Sequence, residues 1–369
     1  MMSSPLRPRP RFDRRTLRAD LRTLLIDSTA ALMVTAVIFV ILYRRIDHGT
    51  SATLEVMPYL ADARTYWLYW ACQAFGWSAM LWAWITVMLG LSRSTRPVSR
   101  SPLSHARMEH WHRVASITTI GLMFAHALAF FLELLRQNED GLSWGRLVWS
   151  AFVDVFVPGG YATGTGQVAI LLGLIALYLA IPLSLSFYLR AWTGSRLWRV
   201  LHRFVILVYV LSVWHTLLYG TNVWFDGWFR TIVWGLQLPV ALLFLARLLA
   251  PLRREERLTR ADLGGGVGPL SRLGGRLSVA AGVVVILLVT VSGRDGGRTP
   301  GQESGDMLVT QPMVWGGLAV VLTVMGAVAL AVRSGGERVS RGGRIEPESR
   351  VRQGPLGPAS GRDDSEHPL

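Results

Sequence analysis

EHWHRVASITTIGLMFAHALAF, residues 109–130, opens on His110, His112 and Arg113, runs into apolar sequence, and meets another imidazole at His126. About 20 mostly apolar residues suffice for a helix to cross the ~30 Å hydrocarbon layer of a bilayer. The stretch is uniformly apolar and lacks the alternation of a barrel strand, so it reads as a membrane-spanning helix. An ionisable side chain inside such a helix is expensive and marks a functional position.

The rest of the chain has the same character. Over 369 residues, 51% are hydrophobic, 17% are charged, and the mean hydropathy is +0.35, which exceeds what soluble domains show. Eight spans are expected, at residues 23–43, 67–91, 113–135, 167–188, 203–219, 231–250, 277–292 and 313–332, the seventh being short. The fold class is therefore all-α, a polytopic membrane helical bundle with a six-helix core and two additional C-terminal transmembrane helices.

A formal charge of +14 could point to nucleic acid, but its distribution points to membrane topology. There is no lysine, and the 38 basic residues are all arginine. Seven arginines fall within residues 1–22, five from Arg93 to Arg113, four from Arg190 to Arg203, seven from Arg247 to Arg276 and seven from Arg333 onward. The intervening loops carry fewer arginines and more acids, among them Glu139, Asp140 and Asp226. This alternation predicts a plasma-membrane protein with both termini in the cytoplasm.

Arg14 and Arg15 ahead of an apolar run resemble a secretory or twin-arginine signal, but the run is as long as a full span, lacks a small-residue cleavage site and is followed by seven more spans. Cys72, the single cysteine, lies within the second span, so an intramolecular disulfide is excluded.

The expected organisation is a cytoplasmic arginine-rich N-terminus (1–22), a six-helix unit (23–250), a cytoplasmic linker (251–276), two further transmembrane helices (277–332) and a disordered cytoplasmic tail (333–369). The last two spans contain little besides small and aliphatic residues and read as support helices facing lipid. Between Arg136 and Gly166, the segment LSWGRLVWSAFVDVF (142–156) suits a helix lying in the membrane interface.

Of the eight histidines, His48, His105 and His367 fall in loops or the tail, and His110 lies just outside the third span. The other four bracket two spans, His112 and His126 on the third and His202 and His215 on the fifth. Both spans run in the same direction by the charge rule. Spacings of 14 and 13 residues give rises of about 21 Å and 19.5 Å, so the histidines form two level pairs. Two neutral imidazoles facing across a gap are the arrangement that clamps a haem through both axial positions of its iron. Two such groups, one near each face, would carry an electron across the bilayer.

The angular fit is uneven. At about 100° per residue, 14 residues return to within ~40° of the starting face, whereas 13 leave His202 and His215 about 140° apart on an ideal helix. The fifth helix must therefore be tilted, locally over- or underwound, reach with one side chain from its end, or contain a π-bulge. Arg113 and Arg203 each follow an inner histidine and are candidate bidentate partners for haem propionates, although arginines flank cytoplasmic span ends for topological reasons as well. Trp198, Tyr209, Trp214 and Phe124 could pack on a porphyrin, and Gly121 and Ala125 could admit a close neighbour.

These motifs, HR followed by His126 at 112–126 and WRVLHRFVILVYVLSVWH at 198–215, resemble the ferric reductase-like transmembrane domain family, which includes ferric reductases, NADPH oxidases and the haem-binding subunit of bacterial methionine sulfoxide reductase systems. The resemblance covers residues 23–250. It implies a cytochrome b-like six-helix core with two b-type haems, His112 and His202 matching the inner iron ligands and His126 and His215 the outer ones. It further implies an oxidoreductase system in which this chain is the electron-transfer component.

The chain departs from the fused reductases, because GGGVGPL at 264–270 has Pro269 where a dinucleotide fingerprint needs glycine and no βαβ unit surrounds it. No FAD or NAD(P) site is expected. The implied partners are a separate electron donor, either a flavoprotein reductase or a quinol, and an external acceptor protein or ferric complex. Two other readings stay open at this point. One is a divalent-metal transporter with histidine stations, for which Asp27 and Glu133 are the only obvious membrane carboxylates, and the other is a non-catalytic scaffold.

Overall fold

The computed structural model describes residues 12–95, 104–249, 276–284 and 309–342, apart from residues 139, 165, 226 and 278. Ten helices matter for the site: α1 (Arg14–Asp47), α2 (Trp67–Thr95), α3 (His105–Arg136), α4 (Trp144–Phe156), α5 (Gly166–Leu185), α6 (Ser195–His202), α7 (Val205–Tyr219), α8 (Trp228–Gly235), α9 (Gln237–Leu249) and α10 (Gln311–Gly342). No strand occurs among the described residues. Seven helical segments there are long and apolar enough to cross a membrane, α6 with α7 and α8 with α9 each making one crossing. The expected span at 277–292 lies mostly outside the described residues, as does most of the 251–276 linker. The final helix runs on to Gly342, into the segment expected to be a tail, and residues 343–369 lie outside the described part.

Helix ends follow local chemistry. Asp13 caps α1 by accepting from the Thr16 amide at 3.1 Å and the Thr16 hydroxyl at 2.8 Å, while Ser104 caps α3 by accepting from the Arg107 amide. Pro182 interrupts α5 near its end, and the chain leaves the helix after Leu185. α4 is the amphipathic helix expected between Arg136 and Gly166, with Leu147, Ala151 and Val155 buried and Trp144 and Trp149 exposed.

Two pairs of helices build the bundle. α2 packs along α3, α5 packs along α7, and α1 leans on both α2 and α3. The histidine-bearing helices α3 and α7 thus sit diagonally, each lined by a partner helix. Small residues permit the close packing: Ala31, Ala79 and Ala115 form one cluster with Trp82 and Leu122, and Ala176 and Ala180 form another with Leu183 and Val208. Buried hydroxyl pairs tie helices together, Thr35 to Ser78 at 2.8 Å and, on the loops beyond α1 and α7, Thr53 to Thr221 at 2.6 Å.

Candidate cofactor site

The four predicted histidines meet in two pairs. His112 and His202 have ring centres 5.8 Å apart with planes at 87°, and His126 and His215 have ring centres 5.8 Å apart with planes at 78°. Imidazole nitrogen binds a transition metal at about 2.0–2.1 Å, so two rings trans on one ion need centres roughly 6 Å apart. Both gaps fit one ion.

The ring nitrogens are also assigned. His112 Nδ1 donates to the Thr86 carbonyl at 2.9 Å, His126 Nδ1 to the Cys72 carbonyl at 2.8 Å, and His215 Nδ1 to the Ala169 carbonyl at 2.6 Å. A proton held on Nδ1 leaves the Nε2 lone pair for a metal and makes it more basic.

A glycine enables each bond. A Cβ on Gly90 would lie 3.0 Å from His112, one on Gly76 3.0 Å from His126, and one on Gly173 2.9 Å from His215. In each case the accepting carbonyl stands four residues before the glycine, where only a residue without a side chain lets the imidazole edge reach a helix backbone. Gly76 and Gly90 repeat the 14-residue interval of His126 and His112, a signal present in the sequence that the motif reading missed. His202 breaks the pattern. Its buried Nδ1 lies toward the Leu183 carbonyl, and the residue four positions after Leu183 is Phe187 in place of a glycine.

The 13-residue interval is accommodated by overwinding. Between α6 and α7 the backbone makes i to i+3 bonds, Arg203 to Val200 at 3.1 Å, Phe204 to Leu201 at 3.0 Å and Leu207 to Phe204 at 2.9 Å. Each such residue turns about 20° further than in an α-helix, which brings His202 back toward the face of His215.

Around the outer pair lies an empty space of about 1220 Å³, counting its open side. Gly76, Met80, Phe130, Gly173 and Leu177 line it together with the two histidines. An apolar space with two imidazoles in its lining suits a planar macrocycle better than a bare ion. Among the described residues, no three His, Cys, Asp or Glu side chains converge as a metal cage.

The predicted arginines differ from the simple expectation. Arg113 makes a two-pronged pair with Asp20, Nε to Oδ2 at 2.8 Å and a terminal nitrogen to Oδ1 at 2.9 Å, while its other terminal nitrogen reaches Glu109 at 3.4 Å. Asp20 is fully buried and also accepts from the Tyr188 hydroxyl at 2.9 Å and from His110 Nδ1 at 3.1 Å. Asp20 was invisible to the motif reading because it sits in the arginine-rich stretch ahead of the first expected span. Arg203 stands beside His202 at the turn between α6 and α7.

Among the aromatics, Trp198 stacks on His202 at 5.5 Å and 25°. Tyr209 instead donates to Gln237, Trp214 packs against α5, and Phe124 meets Phe156. Gly121 faces open space. Asp27 accepts from Trp82 Nε1 at 3.1 Å and from the Thr118 hydroxyl, and Glu133 is held by Arg136 and Gln137.

A polytopic helical membrane protein with two stacked pairs of facing imidazoles is thereby defined. Residues 75–213 match the family model described as ferric reductase like transmembrane component, so that part of the chain is similar to that family. The match contains His112, His126 and His202 and ends two residues before His215. No curated protein and no solved structure matches the chain.

Proposed function

We propose that this chain carries electrons across the plasma membrane through two b-type haems, His112 and His202 holding the inner one and His126 and His215 the outer. The observation that carries the reading is the pairing itself, two buried imidazole pairs at the spacing one metal ion requires. A ferric reductase-like transmembrane domain supports transmembrane electron transfer in general terms.

When bound, each haem would supply a one-electron couple in a low-dielectric slab. The protein's own groups supply orientation and tuning. Thr86, Cys72 and Ala169 fix the ring tautomers through their carbonyls, and the three glycines hold the rings against the backbone. Arg203, next to His202 at the turn between α6 and α7, is proposed as a propionate partner. Arg113, held by Asp20 and Glu109, fixes α1 to α3 beside His112.

Electrons would come from a separate cytoplasmic or membrane donor, a flavoprotein reductase or a quinol, and pass to an acceptor protein or ferric complex outside. The arginine-rich loops at the His112 end support the inward orientation of that end. The test is an oxidised and a dithionite-reduced absorption spectrum of the purified chain with haem quantified. Two b-type haems per chain support the proposal, and no haem after haem-supplemented expression overturns it in favour of metal transport.

A further inference from the structure

The space around the outer pair offers no counter-charge. Its lining contains no arginine, and the chain has no lysine. The hydroxyl protons in its wall are already committed: Ser212 donates to the Val208 carbonyl at 2.9 Å, Thr216 to the Ser212 carbonyl at 2.9 Å, and Tyr69 to the Met57 sulfur at 3.5 Å. Gln73 is different. Its Oε1 accepts from Asn222 Nδ2 at 3.2 Å, which sets the orientation of the amide and turns Nε2 the other way. Of the two Nε2 hydrogens one goes to the Tyr69 hydroxyl, and among the described residues the second has no acceptor. Trp77, the other N–H donor in the wall besides the histidines, lies past Gly76 on the side of the inner pair and packs on Phe229. Asn222 holds Gln73 at a cost, because its own Oδ1 is buried without a partner, and an orphaned acceptor is destabilising. The turn that carries it, Thr221–Val223, is itself fixed: Thr221 is fully buried and its hydroxyl meets that of Thr53 at 2.6 Å.

The amide stands toward one end of the space. Gly76 backs His126, and Gln73 lies three residues nearer the Trp67 end of α2, a rise of about 4.5 Å away from the inner pair. Gly220, two residues before Asn222, follows His215 by five residues, about 7.5 Å in the same direction. A macrocycle clamped at its centre by both imidazoles extends past them to its edge, and a carboxylate at that edge needs a donor because the wall is otherwise apolar. We propose that Gln73 binds a propionate carboxylate of the outer haem, as a neutral donor held in orientation by Asn222, so that the outer site takes its carboxylate without the arginine proposed for the inner one. The inference rests on the two-haem reading given above. A hydrogen bond to an ionised acceptor is about twice as strong as one between neutral groups, so this single N–H contributes to retention of the ligand. An amide offsets the carboxylate charge only in part, and the remaining charge weighs against an added electron nearby.

The experiment compares the full chain, purified with haem bound, with Gln73→Leu, Gln73→Arg and Asn222→Leu. Two readouts are taken: the rate of haem transfer to apomyoglobin, and the midpoint potentials from a spectroscopic redox titration. The outer component is the one missing from His126→Ala. Gln73→Leu should release the outer haem at least about tenfold faster, the worth of one hydrogen bond to a charged group, and lower its midpoint potential while the inner haem keeps both values. Gln73→Arg should slow release and shift the potential upward, a reversal of sign that loss of packing alone does not produce. Asn222→Leu should act in the same direction as Gln73→Leu in the wild-type background and add nothing in a chain that already carries Gln73→Leu. Unchanged release and potential in Gln73→Leu, or equal shifts at both haems, overturn the inference and leave the electron-transfer reading intact. A protein without haem sinks the parent reading instead. If Gln73→Leu does not assemble, Gln73→Arg decides: an upward shift of the outer potential alone supports the role of Gln73, and an unmoved potential refutes it.

Discussion

Gly173 faces His215 so closely that a Cβ on the glycine would lie 2.9 Å from the imidazole Nδ1. The absent side chain is thus part of the histidine's hydrogen bond to Ala169, not merely tolerated space. Gly173→Ala should push the ring off that carbonyl and lower outer-haem content at least several-fold. Gly121→Ala, on a glycine with nothing near its missing Cβ, should leave haem content unchanged. Haem quantification by the pyridine haemochrome method on both variants separates the outcomes, and equal loss in both would refute the role given to Gly173.

Replacement of His126 or His215 by alanine should remove the outer haem, abolish reduction of an external ferric acceptor, and preserve roughly half of the absorbance. Redox titration is the check. Two unchanged midpoint potentials in either variant would mean that these imidazoles are not ligands.

Asp20 and Arg113 form a buried pair in which the carboxylate has two further partners, Tyr188 and His110. Removing one member strands the other, so Asp20→Ala should destabilise the bundle by about 3–5 kcal/mol. The conservative Tyr188→Phe, which removes one neutral donor, should cost only about 1–2 kcal/mol. Thermal unfolding in detergent, followed by circular dichroism, ranks the two, and a reversed order would contradict the role of Asp20 as the centre of this cluster.

Asp13, ahead of the first span, is held below its ordinary value of 3.8, chiefly by the Thr16 amide and next by the Thr16 hydroxyl. A carboxylate with a depressed folded-state pKa contributes stability above its unfolded value and loses it as pH falls through the folded one. Asp13→Ala should therefore cost about 1 kcal/mol of helix stability at neutral pH. The difference between variant and wild type should shrink below pH 3.8, as measured by unfolding across that range.

The spans and the four histidines were legible because both leave one-dimensional traces: long apolar runs, and ionisable residues inside them. The amphipathic helix α4 was legible through its aromatic and aliphatic residues set among a few charges. Overwinding after His202 was one of several alternatives that the 13-residue interval left open; its place at Arg203 and Phe204 left no trace, since neither residue is glycine or proline. Asp20 was hidden by its arginine neighbours, whose topological meaning masked a buried partner. Asp27 was visible as a membrane carboxylate, but its tie to Trp82 and Thr118 needed three helices to be placed together.

The two histidine levels also define an electrical distance. Fourteen residues of α3 separate them by about 21 Å of a hydrocarbon layer about 30 Å thick, so under the proposed function an electron passing from the inner to the outer pair would cross roughly two-thirds of the membrane voltage. At about 2.3 kcal/mol per charge per 100 mV for the full thickness, this amounts to about 1.5 kcal/mol per 100 mV. With the interior negative, the voltage would drive the electron outward under the proposed function, and loss of the membrane potential would remove part of that driving force.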